Sequence, residues 1–432
     1  MVSSVKKEVI YMQVIHKNHM EILWHDYAEA IDDIPITSAG IIEKSSVIGR
    51  TGLMLLSCGT GAWRVRQSMN TLAEQLGLTC TADIGLMSIE YTCYDGEECY
   101  SQSLCLTNTG VNTSKLNRLE QFINKFSSEG VYMTGEELHS HLDQIEKIHG
   151  LYSPTALGFA AALACGAGIG IFVRCKLGKH HFTLFLCIFA SVTSACLVYA
   201  GLFEVMKLIL GVSEQHEAGY ICSMLFIIPG FPFITSGIDL AKLDMRSGLE
   251  RLTYAIIIIT VATMTAWIMA LVLKLQPVDF LTLNLQVPVQ ILFRLAASFC
   301  GVFGFSVMFN SPRKLAATAG CIGAVANTLR LEMVDLANMP PAAAAFIGAL
   351  VAGILASMIK NVAGFPRISV TVPSIVIMVP GLYLYRAIYN LGIMSLHTSA
   401  EWFAAAFMII LALPLGLIFA RILTDKTFRY CT

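Results

Sequence analysis

Met224-Leu-Phe-Ile-Ile-Pro-Gly-Phe-Pro-Phe-Ile-Thr-Ser-Gly-Ile-Asp-Leu240 is the stretch that decides how this chain is read. It is apolar enough to lie in a bilayer, yet Pro229 and Pro232 each remove a backbone donor and Gly230 loosens the turn between them. A helix carrying that triplet is expected to break at membrane depth. Hydrocarbon tolerates the freed backbone groups only where protein or a watery cavity covers them. Asp239 adds an ionisable group to the otherwise apolar span, and an intramembrane carboxylate is a functional candidate by default. The design recurs 151 residues later as Met378-Val-Pro-Gly-Leu-Tyr-Leu-Tyr-Arg-Ala-Ile-Tyr-Asn-Leu391. In that register Pro229 falls on Pro380, Gly230 on Gly381 and Asp239 on Asn390. Paired interrupted hydrophobic segments in the two halves of a membrane chain point to a transporter's binding site.

Around these motifs lie 432 residues that are 55% hydrophobic and only 14% charged, the composition of a multi-span membrane protein with a more polar part attached. The charge shows where that part ends. Residues 1–150 hold 11 Lys+Arg against 19 Asp+Glu, and residues 151–432 hold 18 against 11. An acidic head on a basic membrane body argues against a nucleic-acid partner, which needs a clustered basic face. The expected division is a soluble α+β domain over 1–150, a first membrane repeat over 151–278 and a second over 279–432. Residues 1–30 are charged throughout and have no uninterrupted apolar core, so they do not read as a signal peptide.

Within the head, residues 1–36 read as an amphipathic helix closed by Asp32-Asp33-Ile34-Pro35. Thr37 or Ser38 caps a second helix to about Ser57, and a third runs from Gly59 to Gly77 with Val65, Met69, Leu72 and Leu76 at helical spacing. Alternation from Thr79 to Leu106, with a turn at Asp95-Gly96, predicts two strands. Helices follow at about 113–127 and 134–148, the second opened by Thr134-Gly-Glu-Glu. Gly59-Thr-Gly lacks the preceding strand and the following Lys-Ser/Thr of a phosphate loop and reads as a helix entry. Trp63, Arg64 and Arg66 read either as contacts to a ligand or the membrane part, or as a packed Trp with solvated arginines. Cys80, Cys93, Cys99 and Cys105 lack zinc spacing, and His139 and His141 face different sides of a helix. No metal and no cofactor is expected.

Spans are expected near 154–173, 182–203, 219–240, 252–275, 288–309, 313–330, 341–359, 368–391 and 400–423. Basic loops at 174–179, 242–251, 313–314, 360–367 and 421–429 alternate with net acidic ones at 204–218 and 331–340. The positive-inside rule puts the basic set in the cytoplasm, which makes the two Pro-Gly segments antiparallel, as in an inverted repeat. Five spans in the second half imply five in the first. Two elements then share 151–173, as a pair split at the glycines of Cys165-Gly-Ala-Gly-Ile-Gly170, and the head is cytoplasmic.

Leu225-Phe-Ile-Ile-Pro-Gly-Phe-Pro-Phe-Ile-Thr-Ser-Gly-Ile-Asp-Leu-Ala-Lys-Leu-Asp-Met-Arg-Ser-Gly-Leu-Glu-Arg251 resembles the fourth-span signature of the threonine/serine exporter family. Ser57-Cys-Gly-Thr-Gly-Ala-Trp-Arg-Val65 resembles the N-terminal domain of that family. Asn310-Ser-Pro-Arg-Lys-Leu315, Phe365-Pro-Arg-Ile-Ser369 and Val379-Pro-Gly-Leu-Tyr383 resemble its companion module. The resemblance implies ten spans and a cytoplasmic head, so that with the nine spans counted above the expected fold is a polytopic α-helical protein of two inverted repeats, nine to ten transmembrane helices and a soluble α+β head. It also implies a plasma-membrane exporter of threonine- or serine-like amino acids, coupled to protons. Residues 151–178 look shorter than the family pattern.

The expected site takes Pro229, Gly230, Pro232, Thr235, Ser236, Pro380, Gly381, Arg386 and Asn390 for substrate and Asp239 for proton coupling. Freed backbone groups at the breaks would hold the ammonium and carboxylate, Thr235 and Ser236 a substrate hydroxyl, and Arg386 would be counter-charge to Asp239 or a carboxylate clamp. Plainer readings stand beside these. Asp239 can cap against Lys242 or Arg246, Arg386 and Arg294 can snorkel to an interface, and Asn327 and Arg330 read as packing and an anchor. A dicarboxylate exporter, which needs two cationic anchors, and a non-transporting membrane sensor stay open, as does homo-oligomer formation. The spans carry neither H-E-x-x-H nor G-x-S-x-G, and no complete Walker motif is present, so no enzyme is expected.

Overall fold

The computed structural model describes residues 22–28, 34–166, 168–179, 182–210, 217–275, 285–363 and 365–429. The expected helix over 1–36 falls largely outside them. The chain divides into two compact units, one of Met1–Gly110 with Arg118–Ile148 and one of Val111–Asn117 with His149–Thr432.

The first unit contains α1 (Ile41–Ser57), α2 (Ala62–Gln75), an antiparallel sheet β1 (Thr79–Ile84), β2 (Ser88–Tyr94) and β3 (Cys99–Cys105), most of α3 (Thr113–Phe126), and α4 (Gly135–Glu146). Three strands form where two were expected, because Gly85 N–H closes an extra turn on Ser88 O. The Asp95 carboxylate accepts the N–H groups of Glu97 and Glu98 and so makes the second turn. Thr37 and Ser38 cap nothing: they lie in a short 3₁₀ turn, Ile36–Ser38, and Gly40 is the N-cap of α1. Thr134 and Glu137 form the expected capping box. Val65, Met69, Leu72 and Leu76 are all buried, and Gly77, at φ 71°, ends the α2 region. Trp63 is packed, Arg64 pairs with Glu120 and Arg66 Nε donates to Ala82 O.

In the second unit, α5 (Pro154–Cys165) and α6 (Gly168–Lys179) replace the single expected crossing at 154–173. Gly166, at φ 74°, ends α5. Each helix has 12 residues and so reaches only ~18 Å, against ~30 Å of hydrocarbon. The hairpin closes tightly because Gly158 and Gly168 meet face to face, where a Cβ on either would strike the other's carbonyl. Then come α7 (Leu184–Leu210), α8 (Glu217–Cys222), α9 (Gly230–Ala241), α10 (Met245–Val272), α11 (Val287–Met308), α12 (Arg313–Asp335), α13 (Pro341–Ala363), α14 (Arg367–Val376), α15 (Gly381–Gly392) and α16 (Leu396–Thr424).

Among the described residues five helices are long and apolar enough to cross a membrane, or seven when each bent pair counts as one span. This is fewer than the nine to ten expected. The α5–α6 hairpin is too short, and α12 carries Arg313, Lys314, Arg330, Glu332 and Asp335.

Among the described residues two larger hydrophobic cores hold the helices, and each takes in part of the other half's broken segment. The core of first-half residues such as Ile188, Val192, Ile258 and Ala266 takes in Val376, Tyr385 and Tyr389 from the second half. The core built on Leu315, Ala349, Ile375 and Leu413 takes in Phe231 and Ile234 from the first.

Candidate functional site

The two breaks are made by the same local chemistry. Pro229 sits at φ −80°, ψ 61° and Pro380 at φ −80°, ψ 54°, both in the inverse γ-turn region. Gly230 N–H donates to Ile228 O, and Gly381 N–H to Val379 O, each at 2.8 Å. In an unbroken helix these donors would go to Phe226 O and Ile377 O, so each break takes a carbonyl off the helical ladder. The flanking segments bend by 57° at the first break and 46° at the second. Pro232 takes no part in the bend. It lies in the first turn of α9, where its missing N–H has no intrahelical partner to lose.

The breaks lie against each other. A Cβ on Gly230 would run into Val376 and Val379, and one on Gly381 into Ile228 and Leu225. Each glycine leaves room for the aliphatic side chains that lead into the opposite break. Pro229, Gly230, Pro380 and Gly381 are therefore brought together from positions 151 residues apart.

The polar site residues are arranged less simply. Thr235 Oγ1 donates to Phe231 O at 3.0 Å and Ser236 Oγ to Phe233 O at 2.8 Å, so both hydroxyl protons go to their own helix. Asn390 Nδ2 likewise donates to Arg386 O at 2.8 Å. Asp239 is fully buried, with Oδ2 3.3 Å from Arg251 Nε and accepting from Ser247 Oγ at 3.1 Å. Its counter-charge thus includes Arg251, at the start of α10. Lys242 Nζ donates to Phe428 O and lies over the Phe428 ring, and Arg246 pairs with Glu250. Arg386 is buried with its guanidinium carbon 5.0 Å from the Trp402 ring centre. Arg294 pairs with Glu332 and Asp335 of α12.

Sequence reasoning missed Arg251, which reads as a loop cation until the tight turn between α9 and α10 folds it back over Asp239. It also assigned Arg330 to an anchoring role, whereas Arg330 Nη1 donates to Met378 O at 3.3 Å, just ahead of the second break. Among the described residues no group of His, Cys, Asp and Glu is arranged to hold a metal.

These features define a multi-pass helical membrane protein whose body is organised around two touching helix breaks. A family described as "Putative threonine/serine exporter" matches residues 46–168 and 166–274, and one described as "Threonine/Serine exporter, ThrE" matches residues 294–423. The chain belongs to the threonine/serine exporter family. That membership marks it as a membrane transporter that exports amino acids. No curated protein and no solved structure matches it.

Proposed function

We propose that the chain exports small neutral hydroxy amino acids, threonine and serine, by alternating access around the two touching breaks, driven by the proton gradient. One observation carries the reading: matched γ-turn breaks, in contact, take carbonyls off the helical ladder inside an apolar body. Both α9 and α15 begin at the contact. Helix N-termini carry partial positive charge and suit a carboxylate, while released carbonyls suit an ammonium group.

The two halves run through the same order of elements: a helix pair, a helix, a broken helix and a final helix. This supports membrane repeats over 151–278 and 279–432; the alternation of basic and acidic loops supports their inverted orientation, with the head over 1–150 on the cytoplasmic side. Asp239 and Arg251 are the coupling element in this reading. Protonating the carboxylate removes the charge of Asp239 from beside the buried guanidinium, which gives the α9–α10 clasp two states of different energy.

The test is efflux from vesicles preloaded with labelled threonine, serine or succinate, with and without an imposed pH gradient. Gradient-dependent movement of the hydroxy amino acids is the expected result. Preference for succinate would replace the substrate class, and flux indifferent to the gradient would remove the coupling.

A further inference from the structure

Arg330 stands out among the cations of the second unit. It lies near the C-terminal end of α12, partly buried, and its Nη1 donates to the carbonyl of Met378. Its Nε is shut off from solvent and has no hydrogen-bond partner among the described residues. The acids nearest in sequence, Glu332 and Asp335, are both turned to Arg294 across the α11–α12 contact. No carboxylate among the described residues lies within ion-pair distance of Arg330. One turn earlier, on the same face, Asn327 spends its Nδ2 on Ser298 Oγ at 2.9 Å while its Oδ1 is buried without a donor. An unspent cationic donor and an unspent acceptor thus stand three residues apart, beside the second break.

A guanidinium offers five N–H donors in a planar fork that matches a carboxylate with two parallel bonds. A single bond to a backbone carbonyl uses one of the five. At 3.3 Å that bond is at the long end of the range. Gln would serve as well for a helix cap; only a partner of opposite charge uses what the arginine adds.

We propose that Arg330 is the anchor for the substrate's carboxylate, with Asn327 Oδ1 accepting from its ammonium group, and that the carboxylate displaces Met378 O when it binds. The ligand class is an α-amino acid with a free carboxylate. This rests on the reading of the two breaks as the substrate site and adds the side chains that read the substrate's ends. Met378 O links the two, because releasing it frees the backbone two residues ahead of Pro380. Binding would thereby loosen the segment between α14 and α15.

The test measures binding rather than flux, using the purified full-length protein and its thermal shift with threonine, serine, succinate, threoninamide and the amino alcohol lacking the carboxylate. Wild type should be stabilised by a carboxylate ligand and at least tenfold less sensitive to the amide. Arg330→Gln should raise the half-saturating concentration of the acid at least tenfold and erase the preference over the amide, with Arg330→Lys falling between. Asn327→Leu should weaken threonine binding and leave succinate binding unchanged. Equal response of wild type to acid and amide overturns the proposal even if every variant fails to fold. So does no response to any carboxylate, or an Arg330→Gln protein that still prefers the acid. Carboxylate binding that depends on Arg330, without amino-acid flux in vesicles, would keep the anchor and sink the exporter reading instead.

Discussion

The first and second breaks share a backbone and differ in what clasps them. The likeness continues beyond the γ-turns. Leu243 follows α9 at φ 63° and Met394 follows α15 at φ 63°, again 151 residues apart. Asp244 N–H then donates to Asp239 O, and Ser395 N–H to Asn390 O. Neither left-handed residue is glycine, so both pay the steric cost of that conformation. The side chains part company. In the first half Asp239 is held by Arg251 and Ser247 inside the body. In the same register the second half has Asn390 and Trp402, and Trp402 receives the guanidinium of Arg386 on its face. A buried ion pair in one half is a cation–aromatic contact in the other. Proline, glycine and the helix ends set the repeated backbone. The charged side chains are not repeated with it.

The largest expected effect separates the two clasps. Arg251→Met leaves Asp239 buried beside no guanidinium from that position and should cost ~3–5 kcal/mol, whereas replacing both Asp239 and Arg251 by leucine should restore most of it. Unfolding midpoints of the purified protein measure both, and a double variant as unstable as the single one would show that the pair is not the unit. Next come the glycines. Gly230→Leu and Gly381→Leu should each destabilise by ~1–3 kcal/mol through overpacking and suppress flux to a similar degree. A silent Gly381→Leu beside a dead Gly230→Leu would end the equivalence of the breaks. Trp402→Leu should be milder, at ~0.5–2 kcal/mol, and should change flux without altering its dependence on the pH gradient. Asp239→Asn should remove that dependence while the protein stays folded in the membrane.

Over the first pH unit below ~6.5, the smallest effect lies outside the breaks, in the first unit. Burial, reinforced by the Arg50 guanidinium, holds the His139 imidazole down at about 3. Below pH ~6.5 the unfolded chain therefore binds a proton that the folded unit refuses. Stability should fall as pH drops from there toward 3, by at most ~1.4 kcal/mol per pH unit. Hydrogen exchange corrected for intrinsic rates should show residues 135–146 losing protection between pH 7 and 5.5 while 219–241 keep theirs, and His139→Gln should flatten the response.

Much of the local structure was legible. The helix stop at Gly77, the capping box at Thr134 and the turn at Asp95 depend on residues within a few positions of one another. The Pro-Gly breaks depend on two residues each. The pair of elements at the start of the membrane body could be inferred by counting against the second half, and their glycine hinge by the cluster around Gly166. The partners of charged groups were not legible. Asp239 had three cations within twelve positions, and the turn geometry, set by Leu243 and Asp244, folds Arg251, the farthest of them in sequence, back over it. Arg330 could be placed near a helix end but not beside Met378, because that contact closes between residues almost fifty positions apart.

The sequence by itself determined where the chain breaks, since a proline without a donor and a glycine without a Cβ act on their own backbone wherever they fall. Its hydrophobic runs also determined that these breaks lie in an apolar body, and its motifs determined the family. Only the tertiary structure decided that the two breaks touch, that each broken segment packs into the other half's core, and which cation meets which carboxylate or carbonyl. Those outcomes depend on the packing of side chains brought together over long separations, where a methyl group at Gly230 or Gly381 would already be one too many.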